Sequence, residues 1–324
     1  PFILDAGSAT AVFYNKTLFT ENNLQTPKTW KEMTTLADKV KRLSNIDYAF
    51  APYAGDPSIS LSESWAFKYN LAPGFAKSMM NETDYNKDGK TTTNELLRAV
   101  LEKKFDPNIC MTAKTLYNQA YKYYTEFLPT GWQSINDWTT KWDEGKVAMK
   151  SHGVWYYTNE ISDTLRNFDF DMFVPAVVQS DASSYASNVE YKKISEGYES
   201  AVLMSFNIMK PAVEGNEELL EKAIDFLMYL TAPDAITSMV EEYGNGLPAI
   251  KTDSYPSLLD DASWFDKEFP QINESEWPLG FIHANNTVID AAFANWVTGQ
   301  STANEFYTIL NDEQRKGALQ MVSS

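Results

Sequence analysis

Between residues 11 and 51 a short apolar run, an amphipathic helix and a second apolar run follow one another, and few architectures accept that order. Residues 11–14, Ala-Val-Phe-Tyr, read as a short buried strand. In "TPKTWKEMTTLADKVKRL" Thr29 is placed to cap a helix, and Glu32, three residues on, completes a capping box. Met33, Leu36, Ala37, Val40 and Leu43 recur at helical spacing and form its core face. "YAFAPYAG" (48–55) then reads as a strand running into a loop.

The same alternation continues along the chain. Helical segments are expected from about 62, at 112–127 before Pro129, at 136–144, at 216–231, from Pro233 to Gly244, and at 285–297 and 302–318. Strands are expected at 146–151 and 168–176, with a buried strand at 201–210. Residues 179–200 are polar and Ser-rich, and 251–279 are rich in Pro and Asp, so both read as connections. Helices alternating with single short strands indicate an α/β architecture, and 324 residues suffice for two domains or one two-lobed unit.

Composition removes whole classes of function. Hydrophobic residues make up 44% of the chain, enough for a packed core. The formal charge is 27 − 44 = −17, which argues against a nucleic-acid partner. No apolar run approaches the roughly 20 residues of a membrane helix. No leader peptide is read in the chain, which opens on "PFILDAGSATAVFYNK". Cys110 is the one cysteine, so no intramolecular disulfide forms, and a lone cysteine of this kind reads as packing. His152 and His283 are not in a metal-protease spacing, and neither G-x-S-x-G nor G-x-G-x-x-G occurs. A carboxylate pair of glycosidase type stays open, with Glu63 as the candidate acid, although 44 acidic residues on such a chain mostly belong to solvated faces.

One motif carries its own chemistry. "DYNKDGKTTTNE" (84–95) holds Gly-Lys-Thr, but a phosphate loop needs glycine where Asp84 stands, and that carboxylate would repel phosphate. The calcium-loop pattern fits better: Asp84, Asn86, Asp88 and Gly89, then five residues and Glu95. Calcium takes six to eight oxygens, and alternate side chains of a tight loop converge on one point. Lys90 would offer its carbonyl, Thr92 a water-mediated contact and Glu95 a bidentate carboxylate at the start of a helix. Thr91 replaces the usual apolar residue and no second loop is visible, so the expectation is a single structural Ca2+ site. A calcium-regulated interaction protein is the corresponding functional alternative.

Four segments in order resemble the extracellular solute-binding proteins of bacterial ABC importers, in the sugar-binding, maltose-binding-protein-like family. They are "VFYNKTLFTENNLQTPKTWKEMTTLADKV", "KWDEGKVAMKSHGVWYYTNE", "AIDFLMYLTAPDAITSMVEEYGNGLPA" and "AFANWVTGQSTANEFYTIL". The resemblance implies a two-lobed periplasmic-binding-protein-like fold of type II. It also implies a first lobe incomplete in this chain, since about a hundred residues precede the "YNK" strand in the family and thirteen do here. Residues 1–13 would be the hinge strand of that lobe, and 14–194 the C-terminal lobe carrying the 84–95 loop as an insertion. Residues 195–252 would return to the N-terminal lobe, and 253–324 would be helices packing on the C-terminal lobe.

The implied function is capture without catalysis. Two lobes close on a carbohydrate, and the closed form delivers it to an ABC permease. The protein would be extracellular, a monomer, and held to the membrane only through an N-terminal lipid anchor absent from these residues. Rings stack on the apolar faces of sugars, and carboxylates or amides bond their hydroxyl edges. The resemblance carries Trp155, Glu63 and Trp65 into the cleft. Tyr198 and Glu199 follow by position, then Trp132 and Asn207, and His283 and Asn286 stand where the family places a late aromatic platform. A same-fold binding protein for a peptide or polyamine is the nearest alternative.

Overall fold

The computed structural model describes residues 2–5, 10–52, 58–89, 91–153, 156–189, 204–243 and 284–323. The chain begins with β1 (Phe2–Asp5), β2 (Thr10–Asn15), α1 (Lys16–Glu21), α2 (Trp30–Val40) and β3 (Tyr48–Ala51). A helical stretch then winds as a π turn at Phe67–Leu71 and continues as α3 (Ala72–Thr83). Pro73 has no N–H to give the preceding turn, and the helix widens just before it, with Ala72 donating to Phe67 O. Next come α4 (Thr93–Leu101) and α5 (Met111–Lys122), which widens into a second π turn at Tyr123–Phe127. The middle closes with a 3₁₀ turn at Trp132–Ser134, α6 (Trp138–Asp143), β4 (Val147–Gly153), α7 (Tyr157–Ser162) and β5 (Phe170–Phe173). The remainder is β6 (Met204–Phe206), α8 (Lys210–Val213), α9 (Glu217–Leu230), α10 (Pro233–Tyr243), α11 (Asn286–Val297) and α12 (Ala303–Ser323).

The principal sheet has the order β3-β4-β2-β5. β2 lies antiparallel to both β4 and β5, with Phe13 opposite Lys150 and Met172, and β3 runs parallel to β4. Ala11, Val12 and Phe13 are all buried, so β2 is covered on both faces, which is why it reads as a continuous apolar run rather than an alternating one. α2 presents Met33, Leu36, Ala37 and Val40 to the core, as its periodicity predicts. Thr29 Oγ1 accepts from Glu32 N–H at 3.3 Å. The expected reciprocal bond is displaced by one residue: Glu32 accepts from Lys28 N–H at 2.7 Å, while Trp30 N–H is drawn to Val177 O.

The last helices complete this core. Phe293 of α11 and Phe306 of α12 are fully buried and pack on each other at 5.4 Å between ring centroids. They share one cluster with Phe13, Phe75 and Leu116. The loop after β5 lies along α3, where Val178 N–H donates to Asn70 O and Ser187 N–H to Gly74 O.

β6 departs from the expected buried strand at 201–210. It spans three residues, pairs with β1 in a two-stranded ribbon, and leaves Phe206 41% and Met209 68% exposed. Residues 201–203 lie outside the described residues, so the departure holds for the described part, where these two side chains are not covered. Beyond it α9 and α10 meet around Ile236, with Leu230 and Met239 against it.

Candidate ligand-binding site

The segment between β3 and the first π turn lines a small open cavity of about 30 Å³ with the start of the second π turn. Its described lining residues are Pro52, Ser58, Ser60, Glu63, Ser64, Trp65, Ala66, Tyr123 and Tyr124. That is well below the volume of a whole small-molecule cleft, so these residues can form only part of one. Glu63 is exposed and Trp65 half-exposed, with the indole 5.1 Å from the Tyr69 ring. An aromatic face, a carboxylate and several hydroxyls around one space suit a polyhydroxylated solute.

Local hydrogen bonds shape this wall. Ser60 Oγ accepts from Glu63 N–H at 2.9 Å, and Ser64 Oγ accepts from Phe67 N–H at 3.2 Å. Tyr124 donates its hydroxyl to Ser60 O at 2.7 Å. Asp290, on α11, accepts from Leu61 N–H at 2.8 Å, Ser62 N–H at 3.0 Å and the Ser62 hydroxyl. Glu63 and Trp65 thus share one cavity, while Asn286, exposed one turn before Asp290 on α11, is not among its described lining residues. Asp290 was not among the residues singled out from sequence, because nothing local marks a carboxylate whose partners lie 228 and 229 residues away.

The other expected residues separate. Trp132 is 5% exposed and sits 5.8 Å from Tyr124, so it backs the cavity wall rather than lining the space. Asn207 is exposed just beyond β6. Trp155, Tyr198, Glu199 and His283 lie outside the described residues. A larger groove of about 210 Å³ between α2 and the second π turn is lined by Trp30, Asp38, Lys41, Lys122, Tyr123 and Glu126 among others, and contains none of the expected residues.

The elements on either side of Trp155 are locked together. Lys150 of β4 and Arg166 pair with Glu160 of α7, and Trp142 Nε1 donates to the same carboxylate at 2.9 Å. Burial holds the Lys150 ammonium below its ordinary pKa despite that carboxylate. His152, two residues along β4, stacks on Tyr156 at 4.0 Å, and its pKa is lowered to about 4 by burial and then by the Lys150 charge. Nearby, Asp143 is pushed up to about 6 by burial and then by Asp163.

The 84–95 loop is closed by its own hydrogen bonds. Asp84 accepts from Asp88 N–H at 3.2 Å and Gly89 N–H at 2.8 Å, and Gly89 takes a φ of 85°, the left-handed turn the motif requires. Asn86 donates to the Asp88 carboxylate at 3.1 Å. Glu95 accepts from Tyr85, Asn86 and Thr92 N–H groups and forms a complete capping box with Thr92 at the start of α4. Those bonds, first that from Thr92, lower the Glu95 pKa. Lys90 is outside the described residues, and among the described residues no three His, Cys, Asp or Glu side chains converge as a metal site.

An indole, a carboxylate and hydroxyls thus edge one open cavity of an α/β fold. The profile described as "Bacterial extracellular solute-binding protein" matches residues 2–270, so this chain belongs to that family: an extracellular protein that binds and does not catalyse. No curated protein sequence matches it. Solved structures share the fold at low identity. A chitin oligosaccharide binding protein is 15% identical, with 99% of this chain and 72% of that one aligned and a TM-score of 0.57. RafE in complex with raffinose is 16% identical, with 97% and 72% aligned and a TM-score of 0.53. Maltose-bound MalE3 of T. maritima is 14% identical, with 97% and 72% aligned and a TM-score of 0.56. Among the described residues no helix is long and apolar enough to cross a membrane.

Proposed function

We propose that this protein is the carbohydrate-capturing component of an ABC importer, receiving an oligosaccharide in the cleft walled by Glu63 and Trp65 and passing it to a permease. The carrying observation is the half-exposed Trp65 indole beside the exposed Glu63 carboxylate at the mouth of one cavity. Trp65 supplies the stacking surface, and Glu63 accepts from hydroxyls. Solved proteins of the same fold bind chitin oligosaccharides, raffinose and maltose, which supports the substrate class. Glu63 is the one carboxylate among the described lining residues, whereas glycoside hydrolysis uses two.

The test is isothermal titration and thermal shift against raffinose, maltotriose and chitotriose. At least one is expected to stabilise the protein without release of reducing sugar. Trp65→Ala is expected to weaken that sugar by about 30-fold, roughly 2 kcal/mol, the size of a buried aromatic anchor. Stabilisation by none of the sugars, or reducing-sugar release, overturns the reading.

The 84–95 loop we infer to be a single structural Ca2+ site, held by oxygens of Asp84, Asn86, Asp88, Thr92 and Glu95 with the Lys90 carbonyl. The donor set is all oxygen, which suits a hard cation, and the Asn86–Asp88 hydrogen bond would open to admit it. Glu95 caps α4 with or without an ion, so its loss costs stability either way and does not discriminate. Asp88→Ala does discriminate. Chelator-treated wild type is expected to give heat with calcium and a raised Tm, and Asp88→Ala neither; absence of heat in wild type sinks the site.

A further inference from the structure

We propose that Asp290 is a positioning residue of the ligand site: from α11 it sets the turn at residues 60–63 that presents Glu63 and Trp65 to the cavity. The assignment rests on the ligand-binding reading above. Its ground is convergence on one short turn. Asp290 takes the Leu61 and Ser62 N–H groups and the Ser62 hydroxyl, a charge-assisted set. A second arm from the same helix reaches the carbonyl side of the turn. Phe293 meets the Tyr124 ring edge-on at 5.7 Å, and the Tyr124 hydroxyl donates to Ser60 O. Ser60 Oγ then receives Glu63 N–H, so Ser60 O and the N–H groups of Leu61, Ser62 and Glu63 all have partners.

The anchor itself is set in the core. Ile289 is 2% exposed and Phe293 fully buried, so the residues on both sides of Asp290 fix its helix in the core. A turn in open loop would sample many conformations, and ordering its backbone beforehand lowers the entropy cost of binding. Asp290 therefore acts through Glu63 and Trp65 and does not touch the solute.

The experiment is a double-mutant cycle between Asp290→Ala and Glu63→Gln, read with whichever of raffinose, maltotriose and chitotriose wild type binds most tightly. Asp290→Ala is expected to weaken binding about tenfold, and to have little further effect once Glu63→Gln is present. Additive losses, or unchanged affinity, overturn the assignment. Ser62→Ala, which removes the hydroxyl bond alone, is the milder variant should Asp290→Ala fold poorly, with a smaller loss in the same direction. Hydrogen exchange at Leu61 and Ser62 supplies a readout without ligand: both amides are expected to exchange faster in Asp290→Ala while those of α11 do not. If wild type binds no sugar, the carbohydrate reading falls and this exchange measurement alone decides on Asp290, unchanged protection refuting it.

Discussion

Glu160→Ala is expected to destabilise the protein by about 3–5 kcal/mol, the cost of stranding a buried charge partner, and to lower Tm by roughly 10 °C. Glu160 has 2% of its side chain exposed and stands between Lys150 at 11% and Arg166 at 10%. It also accepts from Trp142 Nε1. Its removal leaves two cations facing each other in the interior. Lys150 already lies below its ordinary pKa through burial, and without Glu160 it falls further. A folded-state lysine pKa below the unfolded value means that the unfolded chain binds more protons in the window between the two. Stability of the variant therefore rises with pH, and its deficit is expected to be smaller at pH 9 than at pH 6. Glu160→Gln keeps the acceptor for Trp142 and should fall between the two. Urea melts at both pH values check this; a deficit under about 1 kcal/mol would show that the triad is solvated enough to be dispensable.

Gly74→Ala is expected to cost about 3 kcal/mol although it places alanine in a helix. Helix propensity by itself favours the substitution by roughly 1 kcal/mol. A Cβ on Gly74 would sit 2.2 Å from Val178 O and 3.0 Å from Ser187 O. Both obstacles are backbone, held in place by Val178 N–H on Asn70 O and Ser187 N–H on Gly74 O. The chain along α3 has to lift, and overpacking of that kind outweighs the propensity gain. Equilibrium denaturation measures it; a variant as stable as wild type would mean that residues 176–187 shift freely.

Several parts of this structure were legible in the residues. β2, α2, β3 and β4 stand where apolar runs and helical spacing put them, because these elements are half or wholly buried and their patterns report that burial directly. Thr29 was readable as a cap because capping is local. Glu95 shows the limit of local reading: a glutamate three residues after Thr92 satisfies a capping box and a calcium loop alike. The buried reading of 201–210 fails at Phe206 and Met209, because an apolar side chain signals that it can be buried, not that anything covers it. Trp132 was weighed as a cleft residue, but an aromatic side chain gives no sequence sign of whether it forms the wall or stands behind it. Glu63 and Trp65 came from a resemblance, not from any pattern. Asp290 was silent because its meaning depends on a turn at the other end of the chain.

The placement of α11 and α12 also dictates an order in time. Phe293 and Phe306 fill the same core as Phe13 and Phe75, yet they are made more than two hundred residues later. Until they emerge, the faces of Tyr117 and Tyr124 against which they pack lie bare. Contacts of such separation are slow to form, and half-made lobes with open aromatic surface are sticky. A nascent chain of this protein therefore cannot complete this core early and wait: α11 and α12 are the keystone, and a premature stop before them leaves an aggregating intermediate rather than a shorter binding protein.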